Sequence, residues 1–138
     1  MAFSLLLPDL DVLRRAFDRH DPDPLVVNQV VASVEQRRLL LVGWVRQGLI
    51  TRAQNSAAAE RVARALAPFP ELPITSGDHV AAAFLSQRLR RRGVAVQPAQ
   101  ALHWVMADRI GAQIWSLDSR WHALHSLGCP VVTTVPAA

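Results

Sequence analysis

Short, mostly apolar runs alternate along this chain with longer stretches in which apolar residues recur at helical spacing. No other feature constrains the fold as much. Residues 3–7, 72–74, 113–117 and 131–135 read as strands. Helices are predicted over residues 11–19, 28–47, 51–67, 80–91, 99–110 and 120–126, with a short element at 25–27. Strands that are apolar throughout, rather than alternating, belong to parallel sheets buried on both faces. The expected architecture is therefore α/β, a central mainly parallel sheet covered by helices, in a single domain spanning 1–138 with no internal repeat or linker.

Local signals fix several boundaries. Asp21 to Pro24 reads DPDP, a turn. Thr75-Ser-Gly-Asp78 has the arrangement of a capping box, with Asp in place of Glu. Pro98 suits a first helical position and Gly111 a helix C-terminus.

Composition narrows the class. With 138 residues, 51% of them apolar and 19% charged, the chain can bury one core and is not of the disordered type. A single cysteine, Cys129, excludes an internal disulfide framework and any multi-cysteine zinc site. All 15 basic residues are Arg, and the net charge of +4 permits a polyanionic partner without requiring one. The start, MAFSLLLPDL, has no basic segment, and its apolar run ends too early for a signal peptide. No apolar stretch approaches a membrane span, and a cytoplasmic location is expected.

Open α/β sheets bind ligands at the carboxyl ends of their strands. Asp9 follows the first strand and Asp118 follows the run Trp115-Ser-Leu117. Glu35 borders the apolar stripe of a helix. Three such carboxylates can converge on a hard divalent cation such as Mg²⁺ or Mn²⁺, which activates water and neutralises phosphate charge. Each also has an ordinary structural role open to it. Asp9 or Asp11 can cap the first helix, Glu35 can pair with Arg38, and Asp118 can cap the helix beyond it.

The order of these acids resembles the PIN domain, in particular the VapC-like toxin ribonucleases of bacterial toxin–antitoxin pairs. The first motif of that family, an apolar strand followed by Asp-Thr-Asn/Ser-Val-Leu, is matched by LLLPDLDVLRRAF, which places Asp9 on the family acid and leaves Leu10 and Asp11 as departures. The second, a serine-capped apolar helix start ending in Glu-Leu, is matched by VVNQVVASVEQ, with Glu35 on the acid and Gln36 in place of Leu. A Gly often follows shortly after this motif, and here Gly43 comes later. The third is matched by AQALHWVMADRIGA, with Gln100 where the family has a metal-binding Asp. The fourth is matched by IWSLDSRW, with Ser116 and Asp118.

The resemblance implies a three-layer α/β/α PIN-like domain and divalent-metal-dependent hydrolysis of RNA phosphodiester bonds. Asp9, Glu35 and Asp118 would be the catalytic, metal-holding residues, supported by Asp11, Gln100 and Ser116. It also implies an antitoxin protein partner and a homodimer. Gln100 departs from the pattern. It offers a neutral carbonyl oxygen, brings no charge and cannot act as a base. A weakly bound Mg²⁺ or Mn²⁺ is one consequence. The alternative is a degenerate, non-catalytic PIN-like protein that binds RNA or a protein partner.

Other features have both bland and functional readings. Arg90, Arg91 and Arg92 close a helix and complement its dipole, or contact an RNA backbone. Trp104, Trp115 and Trp121 lie in apolar runs and read as core. His103, one turn after Gln100, reads as a packed helix residue or a substitute ligand. His122 and His125 have no third ligand near them in the sequence.

Overall fold

In the computed structural model, which describes residues 4–133, three short parallel strands lie in the order β1 (Leu6–Pro8), β2 (Gln113–Trp115), β3 (Val131–Val132). Leu6 pairs with Gln113 and Pro8 with Trp115, while Ile114 pairs with Val131. The sheet is extended beyond β1 by parallel bridges, Leu6 to Leu39 and Leu41 to Glu71. Leu6, Leu7, Ile114 and Trp115 are fully buried, as expected of strands covered on both faces. This is the α/β class expected, although most of the chain is helical: α1 (Leu10–Ala16), α2 (Pro24–Glu35), α3 (Gly43–Thr51), α4 (Ser56–Leu66), α5 (Ser76–Arg91), α6 (Pro98–Ile110) and α7 (Ser119–His122). Among the described residues, no helix is long and apolar enough to cross a membrane.

The predicted caps are present. Thr75 Oγ1 accepts from the Asp78 N–H, and Asp78 Oδ2 accepts from the Thr75 N–H. Pro98 opens α6, and Gly111 closes it in the left-handed region at φ 66°. Asp23 caps α2 by accepting from the Leu25 and Val26 N–H groups, with Pro24 as its first residue.

The single helix expected over residues 28–47 is two helices separated by an extended segment. α2 ends at Glu35, and Arg37 turns the chain in the left-handed region at φ 56°. Leu39 and Leu41 then bridge in parallel to β1 and to Glu71. Helical spacing over this stretch joined two elements across a break that carries neither Gly nor Pro. The helix expected over 51–67 starts later, at Ser56, where Asn55 caps it by accepting from the Ala58 N–H. Residues 72–74 form no strand; the pairing falls on Glu71 instead. The last helix is shorter than expected, α7 being followed by a 3₁₀ turn at His125–Leu127. Residue 3 of the expected first strand and residues 134 and 135 of the expected last one lie outside the described residues.

α5 and α6 are joined by a bidentate ion pair. Arg109 Nε donates to Asp78 Oδ1 at 2.8 Å, and its Nη2 donates to Asp78 Oδ2 at 3.0 Å and to the Pro73 carbonyl at 2.9 Å. Asp78 is buried, and α5 presents Ala82, Leu85 and Leu89 to the core beside it. These contacts fix α6, which carries Gln100 and His103, against α5.

Candidate functional site

Because β1 and β2 are parallel neighbours with Pro8 opposite Trp115, the residues that follow them leave the sheet side by side. The Asp9 N–H donates to the Trp115 carbonyl at 2.8 Å. Asp9 precedes α1, and Asp118 precedes α7. The carboxyl ends of β1 and β2, the first turn of α3, the first turns of α6, and α7 surround an open cavity of about 550 Å³. Asp9, Asp118, Gln100, Trp44, Trp121 and Arg120 are among its lining residues.

Each carboxylate is engaged by protein N–H donors. Asp9 Oδ2 accepts from Trp121 Nε1 at 2.7 Å. Asp11 Oδ1 accepts from the Val12 N–H at 2.8 Å, and its Oδ2 from the Leu117 N–H at 2.9 Å. Asp118 Oδ1 caps α7 through the Arg120 N–H at 2.8 Å, while Oδ2 receives the Arg120 guanidinium, Nη2 at 2.7 Å and Nε at 3.1 Å. The capping role that Asp118 could have by sequence is therefore real. Ser116 Oγ accepts from the Asp118 N–H at 3.1 Å and makes long contacts of 3.5 and 3.4 Å to Asp9 and Asp11. It orients the acids, as expected of a buried hydroxyl at a strand end.

The electrostatics follow from these contacts. Burial first, then the charge of Asp9, raises the Asp11 carboxyl above its ordinary value, against the two N–H groups that it accepts. Hydrogen bonding from Arg120 lowers Asp118. His103 is fully buried at the base of the cavity, edge-on to Trp44 and Trp121 at 5.0 and 5.5 Å between ring centroids. Burial drives its imidazole down to about 4, against the opposing charge of Asp9 and the Leu7 carbonyl. Its Nε2 lies 3.2 Å from that carbonyl. The carbonyl only accepts, so the neutral ring carries its proton on Nε2. Nδ1 is then a bare acceptor, and it is buried without a hydrogen-bond partner.

Glu35 does not join this cavity. It is exposed at the end of α2 and borders a separate apolar groove with Phe17, Val30, Val34 and Phe69. The reason is topological. The segment from Leu39 runs parallel to β1, so residues just before it, Glu35 among them, lie toward the amino ends of the strands. Residues just after Leu41 reach the carboxyl ends. The side chain that enters the cavity from this part of the chain is Trp44, in the first turn of α3. The run Leu39-Leu-Leu41 was the signal for this register; read as a strand, it points to Trp44. Arg120 and Trp121 were missed as site residues, whereas His103, read as a packed helix residue or a substitute ligand, is buried at the base of the cavity. Trp121 is indeed core, only 4% exposed, yet its indole N–H serves Asp9. Arg90, Arg91 and Arg92 are exposed at the end of α5 and line no part of this cavity.

A divalent ion held by oxygen ligands requires several carboxylate oxygens free to face it. The donor set here does not fit that requirement. Gln100 is neutral, Trp44 supplies no ligand, Glu35 is elsewhere, and the Asp118 carboxylate is covered by a guanidinium. Among the described residues, no group of three or more His, Cys, Asp or Glu side chains is placed to hold a metal ion.

With its parallel three-stranded sheet, strand-end acids and enclosing helices, the chain has the PIN-like α/β fold of FitB and VapC structures. One similar solved structure is FitAB bound to the IR36 DNA fragment, at TM-score 0.76 and 14% identity over 93% of this chain and 94% of that one. Another is FitAcB from Neisseria gonorrhoeae, at TM-score 0.75 and 15% identity over 94% and 97% of the two chains. A third is VapBC2 from Rickettsia felis bound to a DNA fragment from their promoter, at TM-score 0.72 and 10% identity over 86% and 91%. No family model matches the chain. No curated protein matches it either.

Proposed function

We propose that this chain is a PIN-fold binding protein, the nuclease-like subunit of a two-protein assembly of the toxin–antitoxin kind, whose strand-end centre does not run metal-dependent RNA hydrolysis. The observation that carries the reading is the state of Asp118. Its carboxylate is spent on a helix cap and a guanidinium, while Glu35, the acid that the resemblance assigns to the second motif, lies outside the cavity and the position of the third is Gln100. The fully active ribonuclease implied by the resemblance would need these oxygens free.

The partner reading is supported by the groove between α1 and α2, where Val31 and Val34 are 49% and 41% exposed beside Phe17 and Phe69. Apolar side chains gathered in a groove suit an apolar segment of a second protein. The solved structures similar in fold include FitAB and VapBC2, which are described as bound to DNA. The exposed α5 face around Val80 and Phe84 suits self-association, and the exposed arginines at the end of α5 suit an RNA backbone.

The test is an RNA-cleavage assay of the purified protein with Mg²⁺ or Mn²⁺ against an EDTA control. The expected result is no metal-dependent cleavage. Cleavage that appears with metal and vanishes with EDTA overturns the reading in favour of the nuclease. Val31→Asp with Val34→Asp is expected to abolish partner binding while leaving the fold intact.

A further inference from the structure

The chain supplies its own donors to the carboxylates at the strand ends. Trp121 Nε1–H is spent on Asp9 Oδ2, the Leu117 N–H on Asp11 Oδ2, and Arg120 on both oxygens of Asp118. Two of these donors are neutral. Arg120 alone brings a full positive charge. Its guanidinium meets Asp118 through Nε and Nη2. Arg120 also lines the cavity, although its side chain is 84% exposed against 25% for Asp118. The guanidinium therefore approaches Asp118 from solvent, the direction from which a cation would come.

We infer that Arg120 is the resident cation of this centre, an internal guanidinium that takes the charge-compensating place of a divalent ion and keeps the cavity free of metal. This rests on the proposed non-hydrolytic reading and supplies its cause. Two electrostatic effects act together. The positive charge repels an arriving dication, and the fork of N–H donors covers the oxygens that would face one. Gln100 adds a third effect by leaving out a negative charge. An exposed ion pair adds little to fold stability. Arg120 should therefore matter far more for cation access than for folding, which separates this role from that of an ordinary surface pair. The Asp118 cap of α7 uses the Arg120 backbone N–H and survives a change of the side chain.

The experiment is a Mn²⁺ titration, by calorimetry and by the electron paramagnetic resonance signal of free Mn²⁺. It compares the parent, Arg120→Gln, Gln100→Asp and the double variant. Arg88→Gln, which removes the same charge on α5 away from this cavity, is the control. The parent and the control are expected to show no saturable binding up to millimolar Mn²⁺. Arg120→Gln should bind detectably with an unchanged melting temperature. The double variant should bind at least about tenfold more tightly than Gln100→Asp alone, the scale of effect seen when groups around a metal are altered. The inference is overturned if Arg120→Gln gains no binding, if the double variant matches Gln100→Asp, if Arg88→Gln gains as much, or if the parent already binds as tightly as the variants. RNA cleavage by the parent would instead remove the proposed function on which the inference rests.

Discussion

The indole of Trp121 donates to Asp9 Oδ2 at 2.7 Å, a bond between residues 112 positions apart. It ties α7 to the carboxyl end of β1 and occupies one oxygen of the Asp9 carboxylate at the cavity wall. Trp121→Phe keeps most of the apolar volume and removes the donor. A hydrogen bond to a charged group is worth about 2 kcal/mol, so a loss of that size is expected, measured as a reduced midpoint in urea with an unchanged slope. An unaltered midpoint would show that this bond contributes nothing net.

His103 makes the fold sensitive to acid. Its folded value of about 4 lies below the ordinary 6.5, chiefly through burial. Between these values the unfolded chain binds a proton that the folded chain does not. Stability therefore rises with pH across that window and falls as pH drops from about 6.5 toward 4. In His103→Gln, pH-dependent urea denaturation should show a flatter profile over this interval, whatever the variant's absolute stability. An unchanged slope would mean that another group carries the effect.

The Asp78–Arg109 pair has a consequence of the same sign at lower pH. Burial pushes the Asp78 carboxyl up, but hydrogen bonds from Arg109 and Thr75 outweigh it and leave the group below its ordinary 3.8. The stability it contributes is present above that value and is lost as pH falls through the folded one. Arg109→Ala strands a buried carboxylate at the first turn of α5. The expected cost is about 2 kcal/mol, less than for a fully buried pair because Arg109 is 38% exposed. Thermal unfolding at neutral pH checks the loss, and the variant should lose less than the parent on acidification.

Glu35 supplies the opposite expectation. It is exposed and remote from the cavity, so Glu35→Gln should change stability by no more than about 0.5 kcal/mol. It should also leave Mn²⁺ binding by the Arg120→Gln variant unaffected. A drop in metal affinity would bring Glu35 back into the centre.

The parts of the fold legible in the sequence were those set by local chemistry. The box at Thr75 and Asp78, Pro98 at the start of α6 and Gly111 at its end each depend on residues within a few positions of one another. The strand-end placement of Asp9 and Asp118 was also legible, because a buried parallel strand ends where its apolar run ends. The reading of residues 28–47 as one helix failed at Arg37. A left-handed turn at a residue other than glycine leaves no mark in composition, so the helical period ran on from α2 into Leu39–Leu41. Glu35 was then read into a centre that lies at the opposite end of the strands. Arg120 escaped notice because its role depends on the geometry of Asp118 two residues earlier, and spacing of two signals nothing by itself.

α6 carries the cavity and the ion pair on one rigid rod. Gln100 and His103 face the strand ends from its first turns, and Arg109 holds α5 from its last. Each residue of an α-helix advances the direction of its side chains by about 100°. Deleting one residue between His103 and Arg109 would therefore leave one end correctly aimed and swing the other off its partner, so the length of this segment is not free to vary. The start of the loop before α6 is freer: Arg92 and Gly93 are exposed, whereas Ala95, Val96 and Gln97 line the cavity. Insertions are expected to be tolerated beside Gly93 and rejected a few residues later.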